Sequence, residues 1–340
     1  MAGSRGYRSY RGKSSGKKAV LAVLLLLVIL AAVVVILLQE HIVYDATGSR
    51  RLETPWREDQ QPLTEETVEL DLVIQPVEKA ETRAVLLPLE AMKAEQWEAV
   101  LADYPACNAV AVVLKDATGA VYFDSRTAPY HAADLTRDHA DVRALTEAER
   151  RLYPVAQIAC FHDPKAANAD VEGKSLENNE GFIFYDGNNS QWMDPAKPAA
   201  REYLCALAVE AAELGFREIL LTDVGYPTEG QLERIAYGEG GRNEQLRLFL
   251  TEMRGALEPY GAALSVKIPA AAITVGQDER AGVVLAELAP LVDAVYAEVL
   301  PEEAEVCAAA VAAVSQQTEF VPVLYASAEN SSGSFLIQPE

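Results

Sequence analysis

Short runs of consecutive apolar residues recur along the second part of the chain. The stretches after most of them have apolar positions three and four apart. The runs are RAVLLPL (83–89), NAVAVVLKD (108–116), PVAQIACFHD (154–163), REILLTD (217–223), AALSVKIP (262–269), VDAVYAEVL (292–300) and EFVPVLYA (319–326). Each is rich in Val, Ile and Leu and apolar at both parities, which predicts strands buried on both faces. Between them, EAMKAEQWEAVLADY, DVRALTEAERRLY, PAAREYLCALAVEAAELG, RNEQLRLFLTEMRGALEPYG, AGVVLAELAPL and EEAEVCAAAVAAVSQQ predict helices. Strands alternating with helices imply a parallel sheet wrapped by helices. Residues 83–340 are also about as many as the ~250 of a (β/α)8 TIM-like barrel. A doubly wound open sheet is the rival, but the first strand–helix turn, LLPLEAMK, lacks the glycines that architecture favours. Only SAENSSGSFLIQPE follows the seventh run, too little for a helical crossover. SFLIQ is therefore expected to close the barrel without a preceding helix, or to leave it incomplete or irregular at the last strand.

The first part of the chain reads differently. AVLAVLLLLVILAAVVVILL (19–38) is twenty apolar residues with no charge, Pro or Gly, enough helix to span a ~30 Å hydrocarbon core. A cleaved signal peptide is the competing reading, but its apolar core runs ~7–15 residues and ends in a small-x-small site. This run is longer and continues into QEHIVYD. Residues 1–18 carry Arg5, Arg8, Arg11, Lys13, Lys17 and Lys18 and no acid, which sets a basic cytoplasmic tail before the span. The chain as a whole has a formal charge of −22, so everything after residue 18 holds −28. A body that acidic repels phosphate backbones and excludes nucleic acid as a partner. The expected location is the cell membrane, single-pass, with the C-terminal domain outside. Residues 39–82, with GSRRLETPWREDQQPLTEE, predict an extended extracytoplasmic stalk, within which VELDLVIQPVE suggests a short strand. Four cysteines, Cys107, Cys160, Cys205 and Cys307, are widely spaced among apolar residues and predict buried free thiols.

In such barrels the reacting groups stand at the C-terminal strand ends. Those ends offer Lys115 and Asp116, His162 and Asp163, Asp223, Lys267 and Glu298. TDVGYPTEG adds Tyr226, and GFIFYDGNNSQWMDP (181–195), a hairpin turning at DGNN, adds Tyr185 and Trp192. Each has a plainer role to weigh. Asp163 before Pro164 suits a helix cap, and Lys115–Asp116 before ATG suits a turn. Trp192 suits a plug in the mouth. His162 is one of four histidines, none in a metal-binding pattern, so no metal or other cofactor is expected. No GxSxG, P-loop or GxGxxG occurs. Carboxylates facing a mouth with aromatic rings suit sugars, whose hydroxyls bond to acids while their CH faces stack.

NAVAVVLKDATGAVYFDS, VAQIACFHDPKAANAD, GFIFYDGNNSQWMDPAKP, AAELGFREILLTDVGYPTEG and LAPLVDAVYAEVLPEE, in that order over residues 83–300, resemble the bacterial putative glycosyl hydrolase domain family, whose fold is a TIM barrel. The resemblance implies that Lys115, Asp116, Asp163, Trp192, Pro195 and Pro227 are retained. It also implies departures. The family's usual acids are replaced by Val113, Thr222 and Lys267, and its usual arginine by Gly225.

Two functions follow as expectations. One is a membrane-anchored, catalytically degenerate barrel that binds a polysaccharide or cell-wall glycan, with Lys115, Asp163, Tyr185, Trp192, Tyr226 and Lys267 as substrate-binding residues. The other is an active glycosidase that uses Glu298, its pKa raised by apolar neighbours, with Asp223 or Asp116. Glu298 pairing with Lys267 is the competing assignment. A purely structural envelope protein whose mouth binds nothing is a third reading. Parity adds one more expectation: if Thr222 faces inward, Asp223 faces the helix layer unless a bulge turns it back.

Overall fold

The computed structural model describes residues 42–44, 50–52, 81–88, 97–128, 152–325 and 333–339. The chain divides into two units, residues 1–76 and 77–340. The apolar run 19–38, the basic tail and the proposed strand VELDLVIQPVE lie outside the described residues. Among the described residues no helix is long and apolar enough to cross a membrane. In the first unit, Ile42–Tyr44 and Arg50–Leu52 pair antiparallel, with Ile42 opposite Leu52. This antiparallel pair falls within residues 39–82, the segment read as a stalk.

The second unit is a closed barrel of eight parallel strands. These are β1 (Arg83–Leu87), β2 (Ala109–Lys115), β3 (Tyr153–Ala159), β4 (Glu218–Thr222), β5 (Ala263–Lys267), β6 (Ala294–Glu298), β7 (Glu319–Leu324) and β8 (Phe335–Ile337). β8 is only three residues long, yet it pairs on both sides. Val323 and Leu324 meet Leu336 and Ile337, and Phe335, Leu336 and Ile337 meet Arg83, Ala84 and Val85. The irregular or open closure expected from sequence is corrected. A strand needs no helix before it to be captured, because two neighbouring strands already offer unpaired edges.

Strand parity sorts the core into two layers. Ala84, Ala109, Ala111, Val155, Leu220, Ala294, Tyr296, Val321, Val323 and Leu336 fill the barrel interior. The alternate residues, including Val110, Val112, Ile158, Ile219, Leu221, Val266 and Val295, pack outward against the helices. Helix Arg242–Leu257 presents Leu246, Phe249, Leu250, Met253 and Leu257 at helical spacing, and Phe249 meets Phe161 edge-on at 4.8 Å. Helix Pro198–Glu213 begins on a proline, which sacrifices no hydrogen bond at that position. Toward the N-terminal end of the barrel, Glu218 is buried and accepts hydrogen bonds from Ser265 Oγ at 2.6 Å and Tyr296 OH at 2.8 Å. All four cysteines are free thiols; Cys107, Cys160 and Cys307 are buried and Cys205 is partly so.

The end of β2 has one residue too many. The register against β3 shifts between Val113 and Lys115, so Leu114 bulges outward into the core while Lys115 turns in. Lys115 Nζ donates to the Ala159 carbonyl at 2.6 Å and lies 2.9 Å from Asp163 Oδ2, both side chains fully buried. Asp163 Oδ1 also caps helix Pro164–Ala169 by accepting from Ala166 N at 2.8 Å. Gly119, in the turn after β2, has φ +77° and would place a Cβ 2.2 Å from Asp163 Oδ1. Gly119→Ala is therefore expected to destabilise the barrel by about 2–4 kcal/mol, through positive-φ strain and displacement of a buried charge. Urea unfolding of the two proteins, read as a drop in midpoint at unchanged slope, measures it.

Candidate functional site

The C-terminal strand ends open on a cleft of about 700 Å³. Val113, Lys115 and Asp116 from β2 and its loop, Gln157 and Ala159 from β3, Lys267 from β5 and Glu298 from β6 form its floor and walls. Thr222 to Tyr226 and Thr228 follow from β4, Trp192 comes from the hairpin, and Asp278, Ala281 and Val283 come from the loop after β5. Asp116, Asp223, Glu298, Trp192, Tyr226 and Lys267 all line this one cleft.

Asp223 reaches that cleft against strict parity. Its φ is +52°, a left-handed backbone that ends β4 and swings the side chain back beside Thr222. Thr222 Oγ1 donates to Asp223 Oδ2 at 2.9 Å. The expectation of a helix-facing Asp223 is corrected, because alternation holds only while the residue stays in strand geometry.

Glu298 is anchored by Lys267 Nζ at 2.8 Å. Burial pushes its carboxyl pKa up, but hydrogen bonds from Lys267 and Tyr325 outweigh that and hold it below its ordinary 4.5. The raised pKa foreseen for a general acid is corrected: Glu298 is ionised at neutral pH, and the ion pair with Lys267 is what forms. The Tyr325 hydroxyl, as donor to Glu298, is pushed up to about 12.

Asp116 is committed to its own turn. Its Oδ1 accepts from Thr118 N at 2.9 Å, Thr118 Oγ1 at 2.6 Å and Ala120 N at 3.1 Å, and its Oδ2 accepts from Tyr122 OH at 2.7 Å. Burial acts to raise the carboxyl pKa, and the bonds from Thr118, Tyr122 and Ala120 bring the net value below the ordinary 3.8. Of Lys115 and Asp163, both foreseen as substrate-binding, Lys115 lines the cleft and Asp163 does not. Their side chains are 0% exposed and paired with each other at 2.9 Å, so they brace the floor of the mouth.

The hairpin forms as predicted, with Asp186 N donating to Ser190 O at 2.9 Å across a turn whose Asn189 has φ +58°. Trp192 stacks on His162 at 4.5 Å, the rings 3° from parallel, and its indole N–H donates to Asp186 Oδ2 at 2.9 Å. Tyr185 lies on the outer side of this hairpin and lines a different cleft, which corrects its placement at the mouth. Tyr226 is 2% exposed, its hydroxyl 3.5 Å from Asp194 Oδ1, so little of its ring is open to a ligand. Burial pushes the Asp194 carboxyl above its ordinary range.

Sequence reasoning missed Gln157, Asp278 and Asp194. Gln157 had a legible signal, as the lone amide inside PVAQIAC at the parity of Val155 and Ala159. Its side chain makes no hydrogen bond to the described residues, while its backbone pairs with β2 and β4. Asp278 had none, because its loop folds back onto the mouth through Tyr226 N donating to Ala281 O at 2.9 Å, a tertiary contact. The same contact crowds Gly225, where a Cβ would lie 3.1 Å from Ala281 O. Among the described residues no three His, Cys, Asp or Glu side chains gather as metal ligands do.

A family model described as "Putative glycosyl hydrolase domain" matches residues 90–330. The chain belongs to that family. Among solved structures, the glycoside hydrolase domain of PgaB (BpsB) from Bordetella bronchiseptica is 14% identical, with a TM-score of 0.52 over 76% of this chain and 94% of that one. A β-N-acetylhexosaminidase from Bacteroides fragilis is 11% identical, with a TM-score of 0.50 over 72% and 50%. A hypothetical protein from Ruminiclostridium thermocellum is 22% identical, with a TM-score of 0.47 over 54% and 96%. No curated protein matches the chain by sequence. At these identities the first two share the barrel fold with this member of the glycosyl hydrolase domain family.

Two titrations check the electrostatics of the mouth. Lys267→Met is expected to raise the Glu298 pKa, since burial then faces one fewer opposing bond; carbon-detected NMR titration reads it directly. For Asp116, the depressed folded pKa contributes stability that is present above the unfolded value near 3.8 and is lost as pH falls through the lower folded value. Asp116→Asn should therefore be less stable than the native protein at pH 7, with the gap closing as pH falls below the unfolded value. Denaturant midpoints at the two pH values test this.

Proposed function

We propose that this protein is a membrane-tethered member of the glycosyl hydrolase domain family that holds a polysaccharide or cell-wall glycan in its barrel mouth without cleaving it. The observation that carries the reading is the state of the three mouth carboxylates foreseen as catalytic. Glu298 is paired with Lys267, Asp116 is saturated by its turn, and Asp223 accepts from Thr222. Glycoside hydrolysis needs one carboxyl kept protonated by a raised pKa and a second left free as base or nucleophile. Among these three, Glu298 and Asp116 are held ionised and bonded, which suits binding over turnover.

The remaining surface suits a sugar. Gln157 offers an amide donor and acceptor, Asp223 an acceptor, and Trp192 an aromatic wall held in place by His162 and Asp186. The names of the similar barrels, a glycoside hydrolase and a hexosaminidase, support a glycan as ligand. The tether is the apolar run 19–38, preceded by six cations and followed by an acidic body, which supports a cytoplasmic N-terminus and an extracytoplasmic barrel. Trp192 and Gln157 are the binding groups, and Lys267 acts by neutralising Glu298.

The test joins binding to turnover. Full-length protein in detergent should bind at least one of soluble chito-, cello- and xylo-oligosaccharides by calorimetry, and Gln157→Ala should weaken that binding about fivefold or more. No reducing ends should appear on prolonged incubation. Release of reducing sugar that Asp223→Asn abolishes would replace this reading with an active glycosidase built on Asp223 and Glu298.

A further inference from the structure

The hairpin that brings Trp192 to the mouth has a second face that the mouth does not use. Its arms bridge at Ser175 and Met193, Glu177 and Ile183, and Tyr185 and Gln191. Toward the protein, Leu176 and Phe184 are buried with Tyr226 and Ile235. Away from it, two large aromatic side chains stand in water, Phe182 at 65% exposure and Tyr185 at 45%. Burying either ring would be favourable, so the local packing forgoes that gain. Tyr185 lines a cleft of about 400 Å³ whose other walls include Asn178, Asp186, Gln231 and Arg234. Phe182 adjoins it, its backbone N–H donating to Asn178 Oδ1 at 3.1 Å and its carbonyl accepting from Asn178 N at 2.7 Å.

Close contacts hold the hairpin tip beside Gly230. Gly230, at φ +101°, lies so close to the hairpin tip that a Cβ there would sit 2.8 Å from Gly187 N. Gly187 N in turn donates to Glu229 O at 3.3 Å, and Asp186 Oδ1 accepts from Asn188 N and Ser190 N. Charge selects the ligand. Arg234 bonds Glu180 at 3.1 Å and Gln231 at 3.2 Å, so its charge is already answered and a phosphate or acidic ligand gains little. Exposed rings beside amides and neutralised charge match a neutral sugar, which stacks a CH face and hydrogen-bonds through its hydroxyls. One hydrogen bond links the walls of the two clefts: Asp186 lines the outer one and accepts from Trp192 Nε1, and Trp192 lines the mouth.

We propose that the outer face of the 175–193 hairpin is a second carbohydrate subsite, built on Tyr185 and Phe182, which carries a neutral glycan chain onward from the barrel mouth. It rests on the reading of the mouth as a glycan site and adds the direction in which the chain leaves. A disaccharide is too short to occupy both clefts and binds at the mouth alone. A hexasaccharide engages both, and its affinity rises because the second contact is intramolecular.

Calorimetry on the full-length protein with di- and hexasaccharides of the chito-, cello- and xylo-series tests this. The native protein should bind the hexasaccharide of its preferred series about tenfold or more tightly than the disaccharide. The double variant Tyr185→Ala, Phe182→Ser should lose that gain and keep the native disaccharide affinity. Tyr185→Phe, which keeps the ring, should keep the gain. Both positions are exposed, so unchanged thermal unfolding is expected and verifies that the variants are folded. A hexasaccharide advantage that survives the double variant, or no advantage in the native protein, overturns the outer subsite and leaves the mouth reading standing. Failure of every saccharide to bind the native protein overturns the mouth reading and the subsite with it.

Discussion

The mouth of this barrel is organised around one buried ion pair. Lys115 and Asp163 are both fully buried, so each needs the other, and removing either partner would strand a charge at a cost of ~3–5 kcal/mol. That requirement fixes several things together. Lys115 also bonds the Ala159 carbonyl, which pins the end of β2 to the end of β3. Asp163 caps the next helix, and only a glycine at position 119 lets the β2 turn pass over it. The turn so placed is the one that Asp116 then saturates. A pair buried in the barrel wall thereby shapes the surface of the mouth.

Around that frame, the polar groups of the mouth divide into those spent on structure and those left open. Asp116 belongs to its turn, and Glu298 answers Lys267. Gln157, Asp223 and the Trp192 wall face the cleft. Hydrolysis of a glycosidic bond asks for two carboxyls in different protonation states, whereas binding asks only for donors, acceptors and an aromatic face. The hairpin serves both sides: its inner residues stand on Tyr226 and Ile235, Trp192 stands on His162, and its outer rings remain in water.

Much of this was legible in the chain. Seven apolar runs at both parities mark seven strands, because a parallel strand covered by helices must be apolar on each face. The hairpin at DGNN, the cap at Asp163 and the pairing of Glu298 with Lys267 follow from local chemistry or from strand neighbours. The amide of Gln157 was equally visible as a polar residue at an inward parity. Closure by β8 was harder to see, since SFLIQ has no helix to announce it and its partners β1 and β7 are far away in sequence.

Local pattern determined the barrel, the strand ends and the residue types they bring to one rim, because periodicity and turn chemistry act over a few residues. Tertiary structure alone decided which of those residues remain available. Burial paired Lys115 with Asp163, a left-handed backbone returned Asp223, and a folded-back loop brought in Asp278 and closed the space beside Gly225. Exposure, pKa and hydrogen-bond saturation depend on atoms from distant parts of the chain meeting in space, and no reading of neighbours along the chain contains them.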